Sequence, residues 1–514
     1  MGAAAPEASV ASLHRHLGDL LNTAEFLLKN ASDDAVAIVD SAGAHTYGAL
    51  RVATAARMEA LGELAAGSPV AIVGANSLSW VAAYLAALGS GMVAVPIPNT
   101  LPAEQIADRV RWIGATAVLL GKREERLIAR HLDRDVLVVP ENIASAGLHP
   151  DVVFAPSRAD ADAVYAFTSG TTGVPRAVRL THGNLQANTE SILAYLPLAS
   201  DERVLVVLPF SYVFGASLMH THLRIGGTLV IQPNVVFPQA IVDQMRRQEC
   251  TGLAGVPSTF HVLLRNSTFR RQPLEQLRTI QQAGGKLAPV LVDELVEAQP
   301  QATLYVMYGQ TEATARLSYL PPTELPVRRG SIGRGIPGVT LRVADADGNP
   351  TPQGEVGEIW ASGANISPGY LRDPEATQRK MPRGELRTGD LAFADQDGYL
   401  FIVDRQEDFI KSWGFRIASQ EVESVAMQIG DLIAAAAVGV PDDAAGERLE
   451  LVVVRRPTSA LTADVVLRHC REHLAKHMVP TKVHFASLLP LNANGKVSKT
   501  AVRQICLSRG AGAE

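Results

Sequence analysis

The hydrophobic positions of the chain alternate between short continuous runs and longer runs of helical period. Val70 to Gly74, Met92 to Ile97 and Thr116 to Leu120 are apolar runs of strand length. Segments with a helical pattern, 78–88 and 103–113, lie between them. Alternation of strand and helix at this spacing predicts parallel sheets covered by helices. We therefore expect a large α/β region in the first part of the chain.

More strands of the same kind follow, and each ends in a loop with polar, glycine or proline residues. In α/β proteins such loops at strand ends usually carry the binding residues. The predicted strands are Val204 to Leu208, Thr228 to Gln232, Gly252 to Val256 and Thr303 to Tyr308.

After Gly338 the strands become short, and Asp-Gly turns occur at 347–348 and 397–398. These features are typical of antiparallel hairpins, so we expect a small β subdomain here. Beyond Asp404 the pattern predicts helices near 419–429 and 463–476 with two strands between them. The expected division is an N-terminal domain over 1–404 and a small α+β C-terminal domain over 405–514.

The composition argues against several classes of function. The chain has 514 residues with 47 Lys and Arg against 52 Asp and Glu, and this net charge of −5 makes nucleic acid a poor first candidate. Cys250, Cys470 and Cys506 are far apart, which argues against a disulfide framework or a zinc site and favours a cytoplasmic protein. The uncharged stretch 75–103 is interrupted by glycines and prolines, so we expect no membrane span.

The strongest local motif is Thr168 to Gly173, which follows an apolar strand-like run. Its hydroxyls, two glycines and accessible backbone N–H groups suit a polyphosphate. It lacks the spacing of a Walker motif.

Four shorter motifs follow along the chain: YGQTE at 308–312, TGD at 388–390, DRQED at 404–408 and NGK at 494–496. An aromatic ring can stack on a purine, and carboxylates can hold Mg²⁺ or ribose hydroxyls, although each motif alone also fits an ordinary turn.

Taken together and in this order, the motifs resemble those of the adenylate-forming superfamily, which includes acyl-CoA synthetases, carrier-protein ligases and firefly luciferase. The resemblance extends from about Tyr47 to Lys496. It implies that the chain uses ATP and Mg²⁺ to join a carboxylic acid to AMP, releases pyrophosphate, and passes the acyl group to a thiol. It also implies a C-terminal domain that moves between the two steps.

The resemblance assigns roles to individual residues. Lys496 is expected to bridge the reacting carboxylate and phosphate, and Glu407 to be the hinge. Glu312 is expected to bind the metal together with Thr172, and Thr311 to approach the α-phosphate. The residues expected to bind the nucleotide are Thr168, Ser169, Gly170, Thr171, Thr172, Gly173, Arg176, Gly284, Gly285, Tyr308, Gly309, Asp390 and Arg405.

Three departures from the family pattern affect these expectations. Arg176 replaces the usual lysine and Ala177 the usual glycine, which we expect to change kinetics without abolishing activity. Tyr212 stands where many acyl-CoA synthetases have histidine. Val213 replaces the aspartate of relatives that activate α-amino acids, so such a substrate is not expected. The residues expected to line the acid pocket are Tyr212, Val213, Phe214, Ala283 and Met307, with Arg316 adding polarity nearby.

Several functions stay open at this point. Coenzyme A is the first choice of acceptor, and a phosphopantetheine carrier protein is the nearest alternative. Transfer to an amine, or activation of nitrous acid for diazotisation, is a more distant alternative within the superfamily. A nucleotide-binding regulator without catalytic activity belongs to another class, and the presence of Glu312, Asp390 and Lys496 argues against it. The acid itself cannot be named from these residues.

Overall fold

The computed structural model describes residues 22–62, 64–143, 149–168, 176–232, 237–405, 408–442, 445–456, 459–492 and 497–510.

The strands follow one another along the chain as short segments. In chain order they are β1 (Val36–Asp40), β2 (Gly43–Thr46), β3 (Pro69–Val73), β4 (Val93–Pro96), β5 (Ala117–Leu120), β6 (Leu137–Pro140), β7 (Asp162–Thr168), β8 (Arg176–Thr181), β9 (Arg203–Val206), β10 (Thr228–Ile231), β11 (Gly252–Gly255), β12 (Thr279–Gln282), β13 (Thr303–Tyr308), β14 (Ser318–Leu320), β15 (Arg334–Gly335), β16 (Val339–Ala344), β17 (Gly357–Gly363), β18 (Gly369–Tyr370), β19 (Leu386–Ala394), β20 (Leu400–Arg405), β21 (Ile410–Ser412), β22 (Phe415–Ile417), β23 (Leu432–Asp442), β24 (Gly446–Arg455) and β25 (Lys482–Phe485).

The helices alternate with these strands over most of the chain. They are α1 (Thr23–Leu28), α2 (Tyr47–Leu61), α3 (Leu78–Gly89), α4 (Ala103–Ile113), α5 (Lys122–Ile128), α6 (His182–Leu193), α7 (Val213–Ile225), α8 (Pro238–Arg247), α9 (Pro257–Asn266), α10 (Pro289–Ala298), α11 (Pro374–Lys380), α12 (Ser419–Ala426), α13 (Ala463–His473) and α14 (Lys499–Gly510). Among the helices described, none is long and apolar enough to cross a membrane.

Two large sheets form the main body. One has the strand order β15-β14-β13-β12-β11-β9-β10-β1-β2, and the other has the order β18-β8-β7-β4-β3-β5-β6. The pairs from β12 to β13 and from β3 to β5 are parallel, as the alternation of strand and helix predicts. Helix α3 is buried continuously from Trp80 to Gly89, because an all-apolar helix must be covered on every side. The uncharged stretch is thus a core helix followed by a strand.

The small β subdomain is a separate antiparallel sheet of order β16-β17-β19-β20. The Asp-Gly turn at 397–398 joins β19 and β20 directly, and Gly398 has the positive φ of 79° that such a turn requires. The turn at 347–348 lies within the longer connection between β16 and β17. The hairpins therefore place Asp390 beside Arg405, its partner in the β19–β20 register.

The C-terminal part forms its own sheet, in which β22, β21, β24 and β23 are antiparallel and β25 adds a parallel strand to β24. The α/β class, with a large N-terminal part and a small α+β C-terminal part, is confirmed. The helix predicted over 463–476 ends at His473 because Leu474 turns to extended backbone. Strand β20 continues through Arg405, and the domain division after 404 stays a prediction.

Candidate active site

An open cleft of about 740 Å³ lies at the carboxyl ends of β12 and β13, against the small β subdomain. Parallel strands end at a common edge of their sheet, so residues that follow each strand meet there. Six of the residues predicted to bind the nucleotide line this cleft: Gly284, Gly285, Tyr308, Gly309, Asp390 and Arg405. Met307, predicted for the acid pocket, lines it as well. Segments distant in the sequence are thus brought together as the motifs predict.

Asp390 is the centre of a hydrogen-bonded group in this cleft. The Tyr308 hydroxyl donates to its Oδ2, and the Arg405 Nε donates to its Oδ1 at 3.1 Å. Asp390 is 3% exposed, so both partners orient a buried carboxylate. Burial raises the pKa of Tyr308 well above its usual value, and Asp390 raises it further, which keeps the phenol protonated as a donor. The Asp390 charge also raises the pKa of Arg405.

The two glycines after β12 form a turn at the floor of the cleft. Gly284 has a φ of +85°, which is unfavourable for other residues, and the Gln282 side chain donates to the Gly285 carbonyl at 2.8 Å. A Cβ on Gly285 would lie 3.3 Å from Cγ of Pro257. The turn therefore keeps backbone exposed to the cleft without a side chain in the way.

Glu312 lies in the short 3₁₀ turn Thr311–Ala313 that follows β13. The Tyr370 hydroxyl donates to its Oε1 at 2.7 Å. Burial, followed by the charge of Glu312, raises the pKa of Tyr370. One carboxylate oxygen is thereby held, and the other stays available to a hard cation such as Mg²⁺, which prefers oxygen ligands. The donor chemistry fits the predicted metal role.

Arg176, which stands where the family usually has lysine, contacts Tyr370 and Asp373. Its guanidinium lies 5.1 Å from the centre of the Tyr370 ring, and its Nε is 3.3 Å from Oδ2 of Asp373. Ala177 is fully buried in β8, where its methyl group fills the core beside Tyr165. Sequence reasoning missed Tyr370, because a tyrosine after a glycine carries no distinctive signal by itself.

Part of the predicted machinery lies outside the described residues: Ser169, Gly170, Thr171, Thr172 and Gly173 of the phosphate loop, Glu407 and Lys496. The two residues that flank the loop are described. Thr168 ends β7 and Arg176 begins β8, and the two are direct partners in the antiparallel register.

The predicted acid-pocket residues also come together. Tyr212, Phe214, Ala283 and Met307 belong to one buried cluster, and Val213 packs against it. The wall contains aromatic residues that sequence reasoning missed, namely Tyr195, Tyr305 and Tyr319. Tyr195 stacks on Tyr319 with 4.1 Å between ring centres, and its hydroxyl lies 3.1 Å from Sδ of Met307. These tyrosines come from three separate segments of the chain, so no local motif contains them.

Arg316 lies in this cluster and is only 2% exposed. Its guanidinium carbon is 4.0 Å from the centre of the Phe214 ring, and its Nε is 3.5 Å from Sδ of Met307. Burial lowers its pKa. Within the described ranges, its polar partners are the Tyr195 hydroxyl and the Met307 sulfur, and no carboxylate is paired with it. In the cleft, by contrast, the Asp390 carboxylate forms an ion pair with Arg405.

The C-terminal part contains a cluster of possible metal ligands, in which atoms of Glu450, His484 and Cys506 lie within 4.8 Å of one another. His484 Nε2 is 2.6 Å from Glu450, and Arg448 also contacts that carboxylate. The Glu450 charge is therefore balanced by protein groups. This cluster has no connection to the predicted magnesium role of Glu312.

Comparison with known proteins agrees with this geometry. The AMP-binding enzyme family matches residues 28–371, and the AMP-binding enzyme C-terminal domain matches 421–496. A feruloyl-CoA synthase from Amycolatopsis sp is 32% identical over 92% of this chain and 96% of its own. ATP-bound MatB from Rhodopseudomonas palustris has a TM-score of 0.85 at 26% identity, covering 94% of this chain and 98% of its own.

A third relative has a different activity in its name. The amide bond synthetase McbA from Marinactinospora thermotolerans has a TM-score of 0.85 at 27% identity, and the match covers 95% of this chain and 100% of that one. The family matches include the phosphate-loop region and most of the C-terminal part. The chain therefore belongs to the AMP-binding enzyme family and is an AMP-forming acid–thiol ligase, the class that its motifs predict.

Proposed function

We propose that this ligase activates a carboxylic acid as an acyl adenylate, releases pyrophosphate, and transfers the acyl group to the thiol of coenzyme A. The observation that carries the proposal is the Tyr308–Asp390–Arg405 group, because it presents an oriented carboxylate to ribose hydroxyls in an open cleft. Met307, the residue before Tyr308, belongs to both the cleft and the acid pocket. Nucleotide and acid would thus meet on the same strand.

The proposed roles combine the family resemblance with the contacts of those residues that the structure describes. Tyr308 and Gly309 contact the base, Asp390 with Arg405 binds the ribose, and Thr311 approaches the α-phosphate. Glu312, with Thr172, would hold Mg²⁺, which supplies charge neutralisation of the phosphates when bound. Two anions must approach each other, so groups that hold the negative charge in place lower the barrier. Lys496 is proposed to bridge the reacting oxygens, and Glu407 to be the hinge for the second step.

Coenzyme A is the proposed acceptor because a feruloyl-CoA synthase is among the full-length relatives. The similarity to an amide bond synthetase favours an amine as the second candidate. A carrier protein and the diazotase-type reaction have no comparable support. The cytoplasmic location also stays a prediction.

The test has two stages. Acid-dependent exchange of pyrophosphate into ATP, measured with a broad acid panel, is expected to reveal adenylate formation. With the best acid, wild-type protein is then offered coenzyme A, a phosphopantetheinylated carrier and a set of amines, and products are identified by mass. An acyl-CoA product supports the proposal, whereas an amide or carrier thioester without acyl-CoA assigns a different acceptor. Absence of exchange with every acid contradicts adenylate formation itself.

Lys496→Ala separates the two steps in the same assay. Since the lysine is proposed to serve the first step only, the variant is expected to lose exchange but to form thioester from supplied acyl-AMP. Equal losses in both steps would contradict the proposed domain rotation.

A further inference from the structure

Arg316 is the feature of the acid pocket that the proposed function does not use. Its exposed fraction is 2%, although arginine is rarely buried without a paired anion. Several other arginines of the described chain form ion pairs, including Arg405 with Asp390 and Arg342 with Glu385, whereas the buried Arg57 donates to backbone carbonyls. Within the part of the chain that the structure describes, the groups that act on the Arg316 charge are the hydroxyls of Tyr195 and Tyr212, and no carboxylate is paired with it. Its charge therefore lies in an apolar cluster without an anion from that part of the chain.

The groups that surround Arg316 compensate its charge only weakly. Its flat face lies 4.0 Å from the centre of the Phe214 ring, a cation–π contact that does not use the N–H edges. Nε points at the Met307 sulfur, 3.5 Å away, and a thioether is a poor hydrogen-bond acceptor. The Tyr195 hydroxyl is within hydrogen-bonding reach and is neutral. None of these groups supplies the planar pair of acceptor oxygens that a guanidinium binds best.

The backbone position of Arg316 brings it close to the reaction centre. Gly309, which follows Tyr308, is packed so tightly against this segment that a Cβ there would lie 2.8 Å from Cα of Arg316. The Leu317 N–H donates to the Tyr308 carbonyl at 2.8 Å. The backbone of Arg316 therefore lies next to the YGQTE motif, and its side chain reaches Phe214 and Met307 of the predicted acid-pocket cluster. An anion bound at the guanidinium would thus lie near the segment that the proposed function assigns to the nucleotide.

Access from the cleft passes Met307. Its side chain contacts Arg316, and the same residue lines the open cleft. Methionine is unbranched and adapts its shape readily. Met307 therefore contacts both the open cleft and the guanidinium, and its side chain can adapt to an incoming acid.

We propose that Arg316 is a specificity-determining residue which binds a second anionic group of the substrate, and that the substrate class is short dicarboxylic acids. The inference rests on the proposed function for the adenylation step. One carboxylate of the acid reacts with ATP, and the other forms a bidentate pair with the guanidinium. The Phe214 ring holds that guanidinium in place, and the aromatic wall sets the length of the acid.

The experiment compares chain-matched acids: succinate with butyrate, glutarate with pentanoate, and phthalate with benzoate. Pyrophosphate exchange with the wild-type protein is expected to favour the better diacid over its monoacid partner by about 100-fold in kcat/KM, the scale of a buried charged pair. Arg316→Met is expected to bring that ratio to within about threefold, and Arg316→Lys to give an intermediate ratio, since lysine keeps the charge without the fork.

Arg342→Met is the matched control. Arg342 also lies over an aromatic ring, 5.0 Å from the centre of Trp360, but it is paired with Glu385 in the small β subdomain. The diacid-to-monoacid ratio should not change in this variant. Equal rates for matched acids in the wild type would overturn the inference. Equal losses for both acids in Arg316→Met would also overturn it, because the arginine would then act on the reacting carboxylate or on folding.

A binding measurement separates this inference from the proposed function. Calorimetric titration of succinate and glutarate into the full chain, with a non-hydrolysable ATP analogue present, is expected to give heat that Arg316→Met abolishes and Arg342→Met retains. Such binding without any pyrophosphate exchange would support the anion site and contradict the ligase activity. Exchange with monoacids alone, without diacid binding, would support the ligase and contradict the anion site.

Discussion

The proposed nucleotide cleft and the proposed acid pocket share the strand that ends in Met307 and Tyr308, but the charged groups in the two places are paired differently. In the cleft, the Asp390 carboxylate is already held by a hydroxyl and a guanidinium. In the pocket, Arg316 has aromatic and thioether neighbours and no acidic side chain paired with it among the residues described. A site for a constant cosubstrate can be built with its polar groups oriented in advance. In a site that selects one acid, the substrate itself can supply the anion that pairs with the buried cation.

Gly309→Ala tests whether the two sites depend on their common wall. A Cβ at this position would lie 1.9 Å from the Ala315 carbonyl oxygen, so β13 and the Arg316 segment would have to separate. We expect loss of pyrophosphate exchange by about 1,000-fold and destabilisation by at least about 2 kcal/mol, measured by thermal unfolding. Gly430→Ala is the control, since a Cβ there meets open space. Wild-type exchange by Gly309→Ala would contradict the shared wall.

Asp390→Ala should damage the cleft and spare acid selection. The substitution removes the proposed ribose acceptor and the carboxylate to which the Tyr308 hydroxyl and Arg405 donate. We expect kcat/KM for ATP to fall by about 100-fold, with the ratio between matched acids unchanged. Steady-state exchange at varied ATP and varied acid gives both quantities. Asp390→Asn, which keeps one oxygen acceptor, should lose less, and a changed acid ratio would contradict the separation of the two sites.

Tyr370→Phe should affect the metal-binding side of the cleft more mildly. The variant removes the 2.7 Å hydrogen bond to Glu312 and keeps the ring that Arg176 contacts. Because a positioned carboxylate becomes free to rotate, we expect about a tenfold rise in the Mg²⁺ concentration needed for half-maximal exchange. Tyr165→Phe is a control in the same sheet, since its hydroxyl donates to Asp162 instead. An unchanged Mg²⁺ requirement would remove Tyr370 from this positioning role.

Arg176→Lys should have the smallest effect. The substitution restores the residue usual in the family, and it removes a partly exposed ion pair with Asp373 and a cation–π interaction with Tyr370. Such interactions contribute about 1 kcal/mol or less each, so we expect kcat/KM to change by less than about threefold. Exchange kinetics at saturating acid measure this directly. A tenfold loss would show that the arginine geometry matters for the phosphate loop.

The contrast between the two sites also explains what could be predicted from the sequence. Tyr308 ends β13 and Glu312 follows it, whereas Asp390 lies within β19. The resemblance of their motifs to the adenylate-forming superfamily, and not the strand pattern alone, assigned all three to one site. Tyr195 and Tyr319 come from separate segments, so their contact could not be predicted from either local sequence and is seen only in the folded chain, where the rings stack. Tyr370 was missed for the same reason.

The remaining differences between the sequence-based predictions and the structure depend on the local backbone conformation and on which side chains surround a residue. The pattern over 463–476 continues past the end of the helix, but Leu474 is extended and a 3₁₀ turn begins at Lys476. Arg316 was recognised only as a nearby polar residue, because a sequence does not reveal whether a charged side chain finds a partner. That property depends on burial and on which segments surround it.

The turn between β21 and β22 carries Trp413, whose backbone has a positive φ of 53° and whose side chain is 68% exposed. Trp80 and Trp360, in contrast, are 4% and 6% exposed. An indole in water emits at longer wavelength than a buried one and is quenched by dissolved iodide. The chain therefore contains a natural fluorescent reporter on its C-terminal part, and iodide quenching during turnover would test whether the proposed domain movement covers this turn.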